Sequence, residues 1–237
     1  MEQMNISNQN NRDEAKKERG PWMLKGPSEL ALAAVQFLKK HRYADKELTI
    51  LDIACGNGRD SFYLIENLNC NVLGADISKE AIELARNDVQ ERHKGYVKFE
   101  CIDFKDIKAG KYDIIFIANI YYNFRKKDRE QLWHLIKRTL KPNGILFLTA
   151  LSANDKEYYG KGEPVHGEYH SFMYPDSKYG LIYLHFHTRE ELEEEFWFLN
   201  IKELYEYEPY DPNVKGPVNY LPWIFIGEYA GTFDKTV

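Results

Sequence analysis

Four short stretches hold the residues whose types and spacing could do chemistry together. They are LDIACGNGRD at 51–60, with Asp52, Ala54, Gly56, Asn57 and Gly58; GADIS, with Asp76 and Ile77; ECIDF, with Asp103 and Phe104; and FIANIYY, with Asn119. Glycines two apart, directly after an apolar run, allow positive φ and let a ligand approach the backbone. A helix opening at Arg59 would point its free N–H groups at whatever sits there. A phosphate would suit such a corner, but the dinucleotide fingerprint requires a third glycine where Ser61 stands, and no G-K-[ST] follows. Asp76 is suited to accept two hydrogen bonds from ribose hydroxyls. Asp103 beside Phe104 offers an acceptor and an aromatic face suited to an adenine amino group and ring. Three of the stretches also have a plainer reading: Gly56 and Gly58 as a turn, Asp76 as a helix cap before Ser78, Asp103 with Asp106 as loop charge.

These residues need elements that bring them together. Short apolar runs recur at 48–54, 71–75, 97–102, 112–118 and 145–151. Runs apolar on both faces suit strands of a parallel sheet covered by helices. Between them, helical spacing predicts helices over Arg59–Leu68, Ser78–His93 and Asp128–Leu140, the last ended by the KPNG turn at 141–144. Alternating strands and helices argue for a doubly wound α/β sheet. The four stretches then fall at the carboxyl ends of its strands, where open α/β sheets bind ligands. Ser28 caps an earlier helix that buries Ala31, Ala34, Val35 and Leu38. Thr188 and Glu191 form a capping box for REELEEEFWFL, and two aromatic extended runs, IKELYEYEPY and LPWIFIGEYA, close the chain.

The 237 residues, 43% hydrophobic, suffice for a single domain over 20–237, preceded by a polar, flexible tail at 1–19. A net charge of -5 with scattered basic residues argues against nucleic acid as a partner. Three cysteines without a C-x-x-C suit neither a disulfide framework nor a zinc site. With no apolar run of membrane-spanning length and no apolar centre near the start, the expected setting is the cytoplasm, without a membrane partner. Cys55 reads as a packed residue rather than a nucleophile. HGEYH at 166–170 lacks the H-E-x-x-H pattern, and His185 and His187, sharing a strand face, read as structural, so no metal is expected.

Together, LDIACGNGRDS, GADIS, ECIDF and KYDIIFIAN with LKPNGILFLTAL resemble the class I S-adenosylmethionine-dependent methyltransferases over residues 48 to about 151. CGNGRDSFYL and SANDKEYYGKG look more narrowly like the tellurite-resistance-type branch. The resemblance implies a Rossmann-like, mostly parallel seven-stranded sheet with helices on both faces and an antiparallel last strand. It implies S-adenosylmethionine as cofactor and S-adenosylhomocysteine as product. Gly56 and Gly58 would accommodate the methionine portion, Asp52 would orient the loop, Asp76 would bind the ribose, and Asp103 with Phe104 would hold adenine. Ala54, Asn57, Ile77 and Asn119 complete the expected cofactor set. Ala54 departs from the glycine usual in the family.

Methyl transfer from a sulfonium can be catalysed largely by positioning and desolvation, and no catalytic residue is assigned. The stretch NIYY lacks the prolines of the [DN]-P-P-[YF] motif found in enzymes that methylate amino nitrogens of bases. A small-molecule acceptor is therefore expected, under a lid of residues 20–27 and an insertion at about 152–187. Tyr121 and Tyr122 stand as either acceptor-pocket walls or core aromatics. The alternatives are a catalytically inactive cofactor-binding relative or partner subunit, and a nucleotide-dependent oxidoreductase of the same architecture. The oligomeric state is not specified by the sequence.

Overall fold

The apolar runs become strands at their expected places in the computed structural model, which describes residues 26–108, 110–176, 179–208 and 220–231. The flexible tail expected at 1–19, and residues 20–25 of the expected lid, lie outside the described residues. Five strands run parallel: β1 (Leu48–Ile53), β2 (Cys70–Asp76), β3 (Val97–Cys101), β4 (Tyr112–Ile117) and β5 (Leu140–Ser152). Their order is β3-β2-β1-β4-β5. The last strand, β10 (Pro222–Glu228), pairs antiparallel with β5, and β9 (Asn200–Glu206) pairs antiparallel with β10. These seven strands are the expected sheet with its antiparallel last member.

Alternation along each strand divides the core between the two faces. Leu51 and Ile53 of β1, with Ile115, Ile117, Leu146 and Leu148, pack against Leu132, Leu135 and Ile136 of α4 (Lys126–Thr139) and Leu192 of α5 (Arg189–Glu195). Ile50, Ile114, Phe116 and Phe147 face the other way, onto α1 (Glu29–Lys40) and Leu64 of α2 (Arg59–Asn67). Each fully buried leucine, isoleucine or phenylalanine contributes about 1.5–3 kcal/mol of transfer free energy, so the two-sided pattern specifies which helices cover which face. A third helix, α3 (Lys79–Asn87), packs Ile82 and Ala85 on Phe99.

Two expectations about element boundaries are corrected. The helix expected over Ser78–His93 ends at Asn87, and only Glu91–His93 coil again, as a 3-10 turn. The KPNG stretch does not close the helix from outside. Instead it bulges within β5, where Tyr112↔Leu140 is followed by Ile114↔Ile145, with Asn143 at φ 62°. Both caps placed from sequence are present: Ser28 Oγ accepts from the Ala31 N–H, and Thr188 with Glu191 forms the reciprocal box.

Among its described residues, the insertion expected at about 152–187 carries three short strands. β6 (Glu163–Pro164), β7 (Ser171–Asp176) and β8 (Gly180–His187) pair antiparallel, and β8 joins the tip of β5 through Leu151↔Phe186 and Ser152↔His187. Leu151, Tyr174, Leu184 and Phe186, with Tyr122, Tyr159 and Phe172 against them, form its own small core. Among the described residues, no helix is long and apolar enough to cross a membrane.

Candidate functional site

The turn after β1 is built by backbone conformation. Ala54, Gly56 and Gly58 have φ of 58°, 56° and 79°. Gly58 serves as N-cap of α2, and a Cβ there would lie 2.5 Å from Phe99 Cζ, so this glycine is required by packing as well as by φ. At Gly56 a Cβ would meet nothing within 4 Å, and that side of the turn is open to a ligand. Asp52 is buried behind the corner and accepts the Ser61 hydroxyl at 2.6 Å. Burial, reinforced by the nearby Asp60 and Asp76 carboxylates, pushes its carboxyl well above the usual range, with Ser61 opposing. Asn57 accepts from the Arg59 N–H at 3.4 Å. Burial also pushes the Cys55 thiol up, as expected for a packed residue.

Asp76, ending β2, ties two loops together. Its Oδ2 accepts the Gly56 N–H at 2.9 Å and its Oδ1 accepts the Ser78 N–H at 2.8 Å. A carboxylate has about four lone-pair sites, so two remain for hydroxyl donors. Ile77 beside it is 74% exposed, an apolar face with no partner in either large core cluster. Asp103 caps a 3-10 turn by accepting from the Lys105 N–H at 3.0 Å. Phe104, expected beside adenine, lies within the core, with its ring centroid 5.2 Å from that of Phe124. Asn119, after β4, adopts φ 57° and donates its N–H to Thr149 Oγ1 at 2.7 Å. The start of α1 reaches the same corner: the Ser28 N–H donates to Asp60 Oδ1 at 2.6 Å, and Arg59 Nη1 donates to the Gly26 carbonyl at 3.3 Å.

A second group of residues comes together where β8 meets α4 and α5, and sequence spacing did not expose it. Glu195 receives Arg129 Nε at 2.9 Å and the Tyr121 hydroxyl at 2.5 Å, while Trp133 Nε1 donates to that same hydroxyl at 2.8 Å. His187 stacks on Tyr121, with its Nε2 3.5 Å from Glu195 Oε2, close enough for an ion pair but not aligned as a hydrogen bond. His185 Nδ1 is 2.8 Å from Ser171 Oγ. Burial alone would raise the Glu195 carboxyl, but His187, Arg129 and Tyr121 together hold it below the usual range. Burial, with the Arg129 charge adding to it, lowers both imidazoles from their usual range, and Glu195 opposes the shift at His187. Tyr121 is thus a core residue, not an open pocket wall. In the HGEYH turn, His170 Nδ1 is 2.7 Å from the Tyr159 hydroxyl. The only sequence signal for the group was the shared face of His185 and His187; its other members come from distant segments.

Comparison with known proteins gives this arrangement a context. A family model described as a methyltransferase domain matches residues 44–194. The chain is 26% identical over 110 residues to phosphoethanolamine N-methyltransferase of Plasmodium falciparum, covering 46% of this chain and 41% of that protein. The chain spans less than half the length of the curated relatives it matches. Among solved structures, it superimposes on a SAM-dependent methyltransferase of Methanosarcina mazei with TM-score 0.66 and 23% identity, over 81% of this chain and 96% of that one. It also matches 1,6-didemethyltoxoflavin-N1-methyltransferase of Burkholderia thailandensis, solved with 1,6-didemethyltoxoflavin and S-adenosylhomocysteine, at TM-score 0.62 and 15% identity over 96% and 89%. At these identities the structural likeness shows the fold.

Proposed function

Because the chain belongs to the methyltransferase-domain family of class I S-adenosylmethionine-dependent proteins, we propose that it transfers a methyl group from that cofactor to a small-molecule acceptor. The observation that carries this reading is the corner after β1, with its left-handed backbone at 54, 56 and 58, its open side at Gly56, and the Asp76 carboxylate bound to the Gly56 N–H. S-adenosylmethionine supplies an electrophilic methyl group on a sulfonium. Gly56 and Gly58, with Ala54 and Asn57, would receive its methionine portion, and Asp52, through Ser61, would hold the turn in shape. Asp76 would accept the ribose hydroxyls on its remaining lone pairs. Ile77 would cover the adenine ring, with Asp103 accepting from the exocyclic amino group and Asn119 closing the crevice from β4. Phe104, packed in the core, would support Asp103 from behind.

Several features support a small acceptor. NIYY after β4 lacks the proline motif described above, and the acidic chain offers no polyanion-binding field. The β6–β8 sheet joins the carboxyl tip of β5 and packs on Tyr122 just past β4, a placement suited to a lid over the reacting atoms. Two of the proteins it matches are named for small-molecule acceptors. Catalysis would then rest on positioning the acceptor in line with the sulfonium and excluding water.

Calorimetric titration of S-adenosylmethionine and S-adenosylhomocysteine into the wild type and Asp76→Asn tests the reading. Both ligands are expected to bind the wild type, and the substitution to weaken binding by about 1–3 kcal/mol, the scale of a lost charge-assisted hydrogen bond. A folded wild type that binds neither ligand would refute it. Release of S-adenosylhomocysteine with a candidate acceptor then separates a transferase from a protein that only holds the cofactor.

A further inference from the structure

The group at β8 and α5 has the makings of a metal site outside the cofactor crevice. His185, His187 and Glu195 each offer one ligand atom, and these atoms all lie within 4.8 Å of one another. His187 Nε2 and Glu195 Oε2 are 3.5 Å apart. Two ligands of a tetrahedral ion with bonds of about 2.0–2.1 Å stand roughly 3.3 Å apart, so this pair is already near the required separation. His185 Nε2 and both ring nitrogens of His187 make no hydrogen bond, although the residues are 4% and 0% exposed. Without a ligand these three buried nitrogens stay unpaired, each at a cost of about 1–3 kcal/mol, and an ion on the two Nε2 atoms would satisfy two of them. The Ser171 hydroxyl on His185 Nδ1 fixes that ring and leaves Nε2 as its available donor, the kind of second contact that metal-ligating histidines carry.

We propose that His185, His187 and Glu195 bind one first-row divalent transition-metal ion, with zinc the best fit. Two imidazoles and one carboxylate suit zinc and its neighbours, whereas magnesium and calcium take oxygen ligands. The ion would bind the lone pair of His185 Nε2 and of His187 Nε2, sharing Glu195 Oε2 with the Tyr121 hydroxyl. Arg129 would stay on Oε1. A fourth position would open toward a cavity of about 460 Å³ that His185 and Glu195 line, where Glu130, Glu168, Glu191 and Glu194 outnumber Lys126 and Arg129 and give a net acidic wall. The ion would clamp the inserted sheet to α5. This inference does not rest on the methyltransferase reading, since it concerns different residues and a different ligand.

The test uses the full chain, stripped with a chelator and then titrated with Co²⁺ and Zn²⁺. One equivalent of Co²⁺ is expected to give the strong visible bands of tetrahedral, nitrogen-ligated cobalt, which Zn²⁺ then bleaches. Zn²⁺ affinity by calorimetry should fall at least about 100-fold in His185→Gln and His187→Gln, and roughly 10–100-fold in the milder Ser171→Ala. His134→Gln, altering an exposed histidine on α4, should leave it unchanged. Circular dichroism identifies any variant that fails to fold. If His185→Gln and His187→Gln both do, the cobalt spectrum of the wild type and the Ser171→Ala affinity decide. Failure of the folded wild type to give tetrahedral bands, or equal Zn²⁺ affinity in wild type and Ser171→Ala, would overturn the proposal.

Discussion

The glycine corner and the histidine–glutamate cluster are two solutions to holding polar groups at a precise place. At the corner, backbone does the holding. Gly56 N–H and Ser78 N–H are both bound by Asp76, and the strain of left-handed residues is taken mostly by glycine. In the cluster, side chains do the holding: Arg129, Tyr121 and Trp133 converge on or near Glu195, while of the imidazole nitrogens of His185 and His187 only His185 Nδ1 makes a hydrogen bond, to Ser171. The first should fail through sterics and the second through charge.

The largest effect should come from Arg129→Met. Arg129 is 5% exposed, and its guanidinium also donates to the Phe124 carbonyl at 3.0 Å. Removing it leaves a largely buried carboxylate without its cation, at an expected cost of about 3–5 kcal/mol in denaturant unfolding. A loss below about 1 kcal/mol would break the contrast, because the cluster would then not be held by charge. Gly58→Ala comes next. A methyl group there would overlap Phe99, and φ of 79° is unfavourable for alanine. Strain of about 1–2 kcal/mol and overpacking of about 1–3 kcal/mol predict a loss of about 2–5 kcal/mol by the same measurement. Gly56→Ala sharpens the difference between the two glycines. With open space around its Cβ, it should cost only about 1–2 kcal/mol of strain, yet weaken S-adenosylmethionine binding more than Gly58→Ala does per unit of stability lost. If the two glycines behaved alike in both assays, the open side of the turn would not be a ligand face.

Much of the corner was legible because it is local. LDIACGNGRD carries strand, turn and helix start in consecutive residues, and the end of each parallel strand could be placed from its own apolar run. Asp52, Asp76, Asp103 and Asn119 accordingly lie at or just beyond the strand ends where alternation places them. Phe104 was harder to read, since an aromatic after an acidic residue looks the same whether it faces a ligand or packs on Phe124. The insertion was harder still. Its β7–β8 pairing sets Ser171 opposite His185, and no repeat or strong apolar run announces it in a segment rich in tyrosine, glycine and charge.

The sequence by itself determined the layer order, the two capped helices that open with Ser28 and Thr188, and the glycine turn, because short-range periodicity and backbone stereochemistry act within a few residues. Only the tertiary structure decided that Tyr121, Arg129, Trp133, His185, His187 and Glu195 meet. Their contacts depend on β8 joining the tip of β5 and on α4 and α5 covering the same face of the sheet. Such a meeting is set by long-range packing and strand register, and no spacing along the chain encodes it.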